Sequence, residues 1–181
     1  MKKVITLIIL FLTLYTHAQK TTTCSCCSEA HKQFNFWLGD WDVYDTTGKK
    51  VGENKIEVIE GGCGLRENWK SNTQTGTSTN YFDPVDNTWN QLWIDNTGTI
   101  LSLKGAFNNG KMELKSAMMQ GKKVAFYYNT ITWEKNKDGT VTQIWDVREN
   151  TGKLVSRAFK GIYKKKVTTV KHEIPNDKQT N

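Results

Sequence analysis

Three times, the sequence places a tryptophan two positions after a glutamate or a glutamine, whose side chains can form hydrogen bonds. The pairs are Glu67 and Trp69, Gln91 and Trp93, and Gln143 and Trp145. Side chains at positions i and i+2 of a β-strand point to the same face, so each pair would present an indole beside a polar group. Aromatic walls with a few convergent polar groups are typical of small-molecule sites. We therefore predict that these residues bind a small, partly apolar ligand.

Glu67 is also the residue that could catalyse a reaction. A carboxyl group in a dry pocket has a raised pKa and can act as a general acid or base, as in an isomerase or hydrolase. Asp95 and Asp146 are the next acids to consider. The alternative for Glu67 is a structural ion pair with Arg66 or Arg157.

Other enzymatic motifs are scarce in the sequence. His31 and His172 do not lie near a serine or cysteine nucleophile with a third, orienting residue. The sequence contains neither a phosphate-binding glycine loop nor an HExxH motif. No catalytic residue other than Glu67 is therefore predicted, and no cofactor or metal.

The aromatic residues allow two further interpretations. The seven tryptophans could simply fill the core, because large aromatic side chains are mostly buried in small domains. They could also form an exposed platform that stacks on sugar rings, which would make the protein a glycan-binding module. The basic C-terminal tail, which holds much of the positive charge, could contact nucleic acid or an anionic membrane, but we predict neither nucleic-acid binding nor stable membrane insertion.

The elements that would position the three pairs are β-strands. From Trp41 onward, residues alternate between apolar and polar, and glycine, asparagine or aspartate interrupts the alternation every eight to twelve residues. The pattern predicts about ten strands: Trp41 to Asp45, Val51 to Glu60, Cys63 to Ser71, Thr77 to Asp83, Thr88 to Asp95, Thr99 to Phe107, Lys111 to Met119, Lys123 to Glu134, Thr140 to Arg148 and Leu154 to Lys164.

A meander of about ten strands must close or split to avoid exposed edges. We therefore predict an all-β fold, an up-and-down antiparallel barrel whose interior can hold one small ligand. A propeller or a sandwich is the alternative. Before the first strand, Ser28 can cap one or two helical turns. Trp37, Gly39 and Trp41 predict a short helical turn that plugs one end of the barrel.

The N-terminal residues predict export. Lys2 and Lys3 precede an apolar run from Val4 to Tyr15, which is shorter than the roughly 20 residues of a transmembrane helix. We predict a signal peptide over residues 1–18, cleaved after Ala18, and a periplasmic or secreted protein. A cysteine-containing leader and short helix (19–33), the barrel (34–165) and a basic, disordered tail (166–181) would follow.

All four cysteines lie after the predicted cleavage site. An exported chain meets an oxidising environment, in which disulfides persist. Cys26 and Cys27 are adjacent, so one of Cys24, Cys26 and Cys27 is expected to pair with Cys63, and we take Cys27–Cys63 as the prediction. A metal site is the alternative, although the sequence lacks the CxxC pairs of ordinary zinc sites.

Five motifs give the chain a resemblance to known proteins. F-x-F-W-x-G-x-W-x-V at residues 34–43 resembles the start of the calycin superfamily, whose lipocalins carry a Gly-x-Trp on the first strand. The ordered set resembles a family of small exported bacterial proteins of unknown function. It comprises that motif with Gly-Gly-Cys at 61–63, Glu-Asn-Trp at 67–69, Tyr-x-Asp-Pro at 81–84 and W-x-Q-x-W at 89–93.

The resemblance implies a fold without an activity. The predicted number of strands exceeds the eight of lipocalins and is nearer to the ten-stranded fatty-acid-binding or nitrobindin-like barrels. In lipocalins, a basic residue near the last strand packs over the first-strand tryptophan. That implies Arg157, or alternatively Lys160, over Trp41, and we also assign Arg157 to the polar anchors of the ligand. Nitrobindins bind haem through a late histidine, but His172 lies beyond the last predicted strand, so haem is not predicted.

Overall fold

The structure is a computed structural model that describes residues 24–121 and 124–167. The predicted signal peptide (1–18), the beginning of the leader (19–23) and the tail from residue 168 onward lie outside the described residues. One short helix, α1, spans Glu29–Lys32, and Ser28 caps it by accepting a hydrogen bond from the backbone N–H of His31. Two 3-10 turns follow, at Asn35–Trp37 and Glu60–Gly62.

Eleven β-strands make up the rest of the described chain. They are β1 (Gly39–Tyr44), β2 (Lys50–Ile59), β3 (Gly64–Ser71), β4 (Thr75–Asp83), β5 (Thr88–Asp95), β6 (Ile100–Asn108), β7 (Lys111–Lys115), β8 (Met119–Gln120), β9 (Phe126–Lys135), β10 (Val141–Glu149) and β11 (Leu154–Lys165). The predicted strand from Lys111 to Met119 is divided into β7 and β8, which both pair with β9.

The sheet closes on itself. β7 pairs with β9 and not with β8, whereas the other consecutive strands pair with each other in an antiparallel direction, and β11 pairs with β1. Ten strands therefore form the barrel, and the two-residue β8 is an additional strand at the edge of β9. The prediction of an all-β, closed antiparallel barrel is confirmed. No helix within the described ranges is long and apolar enough to cross a bilayer.

Aromatic side chains fill one end of the barrel. The 3-10 turn at Asn35–Trp37 brings Phe34 and Trp37 into the interior, where their rings stack with centroids 4.9 Å apart. Phe34 also meets Trp89 edge-on at 5.6 Å, and Trp133 contacts both Phe34 and Trp37 at just over 5 Å. These four rings are at most 2 % exposed. We call this end, where β1 begins and β11 finishes, the closed end.

A basic residue does pack over the first-strand tryptophan, but it is neither Arg157 nor Lys160. Lys165 Nζ lies 4.1 Å from the centroid of the Trp41 ring and donates a hydrogen bond to the carbonyl of Leu38. Gly39 makes room for this lysine. It has a φ of +122°, and a Cβ at this position would collide with the Lys165 ammonium group.

The disulfide pairing differs from the prediction. Cys26 pairs with Cys63, and Cys24 pairs with Cys27. A three-residue separation allows Cys24 and Cys27 to approach in the tight turn at the start of the described chain, where the N–H of Cys27 bonds to the carbonyl of Cys24. Cys26 is thereby left to join the leader to the connection between β2 and β3. The predicted Cys27–Cys63 bond is wrong, while the prediction that the leader is tied to Cys63 is confirmed.

Candidate functional site

A cavity of about 170 Å³ lies in the half of the barrel opposite the closed end. Six of the seven residues assigned to ligand binding line it: Glu67, Trp69, Gln91, Trp93, Gln143 and Trp145. The other lining residues are Gln74, Leu101, Ile131, Ala158, Phe159 and Tyr163. The structure therefore brings the three sequence pairs, from β3, β5 and β10, to one space.

The cavity has an aromatic mouth and a polar floor. Trp69, Trp93, Trp145 and Phe159 are half-buried and stand toward the open end, whereas Glu67 is 4 % exposed. Trp69 and Phe159 meet edge to face with centroids 6.1 Å apart. None of the chain's seven tryptophans is exposed, so the structure gives no support to a tryptophan platform on the outer surface.

Glycines on the same strand or on a neighbouring strand make room for three of these rings. A Cβ on Gly52 would lie within 3.0 Å of the Trp69 ring, and a Cβ on Gly76 would lie equally close to Trp93. A Cβ on Gly161 would likewise lie within 3.0 Å of the Phe159 ring. A glycine inside a strand leaves space for close approach by a neighbouring group. The sequence contains this signal, since all three glycines interrupt predicted strands or their edges, but it does not show which ring covers each glycine.

Buried polar side chains form a continuous network beneath the cavity. Glu67 accepts two hydrogen bonds, from Asn54 Nδ2 at 2.7 Å and from Ser78 Oγ at 2.6 Å. Asn80 Nδ2 donates to Ser78 at 2.8 Å, and Gln91 Nε2 donates to Asn80 Oδ1 at 2.7 Å. These five residues are all buried, and their bonds reduce the cost of placing polar groups in the interior.

The network continues to the other side of the barrel through a tyrosine. Asn54 Nδ2 lies 3.4 Å from the hydroxyl of Tyr163, and that hydroxyl donates to Gln143 Oε1. Asn54, Ser78, Asn80 and Tyr163 were not predicted as site residues. They stand on β2, β4 and β11, and only the register of these strands brings them to Glu67.

Burial dominates the acid–base properties of Glu67. Removing the carboxyl group from water raises its pKa to about 7, although the hydrogen bonds from Ser78 and Asn54 act in the opposite direction. The pKa of Tyr163 is also raised, first by burial and then by the neighbouring Glu67. No lysine, arginine or histidine within the described part of the chain pairs with Glu67. The alternative of an ion pair with Arg66 or Arg157 is therefore wrong.

Two polar atoms at the floor remain available to a bound molecule. Gln91 uses its amide nitrogen in the network, and Gln143 uses its amide oxygen. Within residues 24–121 and 124–167, Gln91 Oε1 and Gln143 Nε2 have no hydrogen-bond partner, while both side chains line the cavity. The floor thus offers one acceptor and one donor in addition to Glu67.

Arg157 is not brought to the cavity, which corrects its assignment as a polar anchor. Its Nε donates to Asp146 Oδ1 at 2.8 Å, and Asp146 also pairs with Arg148 at 2.9 Å. A β-bulge explains the change of face. Phe159 pairs with Trp145 and Arg157 pairs with Asp146, so Ala158 is an extra residue on β11. Ala158 lines the cavity in place of Arg157.

Polar groups lie beside two of the tryptophans. Trp145 Nε1 donates to the buried Asn129 Oδ1 at 2.7 Å. Asp95 accepts from Gln74 Nε2 at 2.7 Å. A hydrogen bond from Thr97 is the main cause that lowers the pKa of Asp95 to about 2, and the Trp93 side chain contributes in the same direction. Asp95 is therefore an ionised group beside the mouth.

The fold and this site define a class: a closed antiparallel β-barrel with an interior cavity that has aromatic walls and a polar floor. Comparison with protein-family models and with curated proteins found no match to this chain.

Proposed function

We propose that this protein is an exported, calycin-like barrel that binds a small, partly apolar molecule in its cavity. The observation that carries the proposal is the meeting of Trp69, Trp93 and Trp145 above the buried network of Glu67 and Gln91. Aromatic walls remove apolar surface of a ligand from water, while the free amide atoms fix its orientation.

The size of the cavity limits the ligand. A cavity of about 150 Å³ is large enough for benzene, and this one has a volume of about 170 Å³. A ligand with one ring and a short polar substituent fits that volume. A long fatty acid or haem would be too large for the closed part of the cavity and would extend through the mouth.

Two features support export and the calycin-like plug. All four cysteines form disulfides, which persist in oxidising compartments. Together with the predicted signal peptide, they favour a periplasmic or secreted location. Phe34 and Trp37 from the 3-10 turn fill the closed end, as the helical plug of a calycin barrel would.

Native mass spectrometry of the protein purified from its own host tests the proposal. We expect a mass excess that disappears on denaturation and belongs to one small compound. A matched pair of variants locates it: Gln91→Leu removes the free acceptor in the cavity, whereas Asn90→Leu, one position earlier on β5, changes a side chain on the opposite face. Loss of the compound only in Gln91→Leu supports the site. Retention in both variants contradicts it.

An enzyme of the same fold is the second candidate, and the raised pKa of Glu67 favours it. A carboxyl group that titrates near neutral pH is suited to general acid or base catalysis. Incubation of the carried compound with fresh protein, followed by mass spectrometry, should then show a product. Glu67→Gln should abolish product formation, while a protein that only binds would return the compound unchanged.

A further inference from the structure

The cavity is lined by groups of one charge sign. Glu67 is an acid, and the described residues around the cavity include no lysine, arginine or histidine. Arg157, which the sequence analysis assigned to the cavity, is turned to the outer face by the bulge at Ala158 and is held by Asp146. Lys165 is at the closed end, over Trp41. A bound anion would therefore have no cationic partner and would face a carboxyl group.

The walls attract positive charge. The faces of tryptophan rings carry a negative electrostatic potential, and a cation within about 6 Å of such a face is stabilised, most strongly when it is desolvated. Trp69, Trp93 and Trp145 all present rings to this cavity, and Phe159 completes the mouth. Three indoles above a single carboxyl group form a cage suited to an organic cation.

Asp95 and the free amide oxygen of Gln91 also favour a bound cation. Asp95 lies beside the mouth, where it holds Gln74 at 2.7 Å, and its low pKa keeps it ionised. At the floor, the free Gln91 Oε1 can accept an N–H from an ammonium group. Each Glu67 oxygen accepts one hydrogen bond from the protein, which leaves a further lone pair for a ligand.

We propose that the ligand is a small organic amine, bound as a cation with its ammonium group at Glu67 and Gln91 and its apolar body between the tryptophans. This inference rests on the proposed function, since it names the chemical class of the molecule that the cavity holds. It separates this barrel from those that bind fatty acids, whose carboxylate headgroup needs a basic partner.

Titration calorimetry with three compounds of the same body tests the inference: 2-phenylethylamine, 2-phenylethanol and phenylacetate. With the full mature protein at pH 8, we expect the amine to bind at least about tenfold more tightly than the alcohol, as a charge-assisted contact should. Phenylacetate should not bind measurably. Equal affinity for the amine and the alcohol, or tighter binding of phenylacetate, overturns the inference and leaves the proposed cavity function standing.

The pH dependence of wild-type binding is a second measurement that needs no variant. The groups that face Glu67 are Asn54 on β2, Ser78 on β4, Gln143 on β10 and Tyr163 on β11, and of these only Tyr163 can titrate, well above neutral pH. Amine affinity should therefore fall about tenfold between pH 8 and pH 6 as Glu67 becomes protonated. Alcohol affinity should not change. A constant amine affinity overturns the inference.

Substitution of Glu67 locates the contact. Glu67→Gln should lower amine affinity about tenfold and preserve alcohol binding, while Glu113→Gln, on the exposed face of β7, should alter neither. If none of the three compounds binds, the compound that native mass spectrometry identifies in the protein from its host tests the inference. An amine supports the inference, and an acid or a neutral compound overturns it. If the protein carries nothing either, the inference fails together with the proposed function.

Discussion

The hydroxyl of Ser78 donates a 2.6 Å hydrogen bond to Oε2 of Glu67, and with the bond from Asn54 it holds this acid at the floor of the cavity. Both partners are neutral. Burial therefore outweighs them, and the pKa of the carboxyl group rises to about 7. The position of this acid determines both the stability of the barrel and the chemistry that the cavity can accept.

Stability should fall as pH rises through the titration of Glu67. Its pKa is about 4.5 in the unfolded chain and about 7 in the folded protein, so the folded state binds the proton more tightly. The contribution is complete below pH 4.5 and is lost by pH 8, which lowers the free energy of unfolding by about 3 kcal/mol. Urea denaturation at pH 4 and pH 8 measures this difference.

Glu67→Gln provides the comparison. The variant should lose this pH dependence, so the difference between wild type and variant should itself change by about 3 kcal/mol over the interval. Asn54 can accommodate a glutamine at position 67. Its Oδ1 is buried without a hydrogen bond within the described chain, and a rotation of the Asn54 amide by 180° would let this oxygen accept a hydrogen bond from the new glutamine amide. An identical pH dependence in both proteins would show that Glu67 titrates normally.

Gly76→Ala should damage the cavity more than the fold. The added methyl group would occupy the position of the Trp93 ring and push the indole toward the ligand, at a cost of ~1–3 kcal/mol in stability. Ligand affinity should fall, and the tryptophan emission of the folded protein should shift. Thr79→Ala, on the outer face of the same strand, serves as the control. Unchanged affinity in Gly76→Ala would mean that Trp93 is not a wall of the site.

The strands were predictable wherever turn chemistry surrounds an alternating segment. Thr88–Asp95 is predicted and observed with the same limits, because Asp83-Pro84 precedes it and Asn96-Thr97-Gly98 follows it. The break between β7 and β8 was not predictable, because Ser116-Ala117-Met118 contains neither glycine nor proline. At this break, the Ser116 hydroxyl accepts a hydrogen bond from the backbone N–H of Asn129 on β9. A side chain thus replaces a backbone carbonyl in the pairing with β9.

The site was predictable only where alternation is regular. Glu67, Gln91 and Gln143 follow their strands without a shift and reach the cavity as the i, i+2 rule requires. Arg157 has the same parity as Phe159 and Tyr163, and strict alternation would place it inside. One extra residue, Ala158, reverses its direction, and a bulge of this kind has no signature in the local sequence.

The two disulfides should contribute unequally to stability. The Cys26–Cys63 bond closes a loop of 37 residues, whereas Cys24–Cys27 spans three. Because the entropy removed from the unfolded chain grows with loop length, the long bond should stabilise by about 4 kcal/mol and the short one by about 2 kcal/mol. Denaturation of the Cys26→Ser/Cys63→Ser and Cys24→Ser/Cys27→Ser variants compares them. Equal losses would contradict the pairing described here.

Arg157→Gln should leave ligand affinity unchanged and affect Asp146 instead. Asp146 is 4 % exposed, and its pKa is lowered mainly by the hydrogen bond from Arg157. Without that partner the pKa of Asp146 should rise, so the variant should lose stability relative to wild type at neutral pH, where the carboxylate is ionised. The titration of Asp146 can be followed by NMR. A large loss of ligand affinity would show that Arg157 does contribute to ligand binding in the cavity.

Gly39→Ala should cost more stability than Gly48→Ala. Both glycines have positive φ, but only at Gly39 would the new Cβ collide with Lys165. Each change costs on the order of 1–2 kcal/mol of backbone strain, and Gly39→Ala should additionally displace the ammonium group from Trp41, a contact worth about 1 kcal/mol. Denaturant titration of both variants tests the difference. Equal costs would mean that the lysine contributes nothing there.

The closed end has a practical consequence for capturing this barrel on a surface. The leader, the Cys26–Cys63 bond and the end of β11 all belong to that end, while the indole-lined mouth faces the other way. A sensor chip coupled at the described leader or directly after β11 would attach to the end of the barrel that lies away from this entrance. The entrance would then stay clear of the coupling chemistry without any engineered attachment site on the barrel wall.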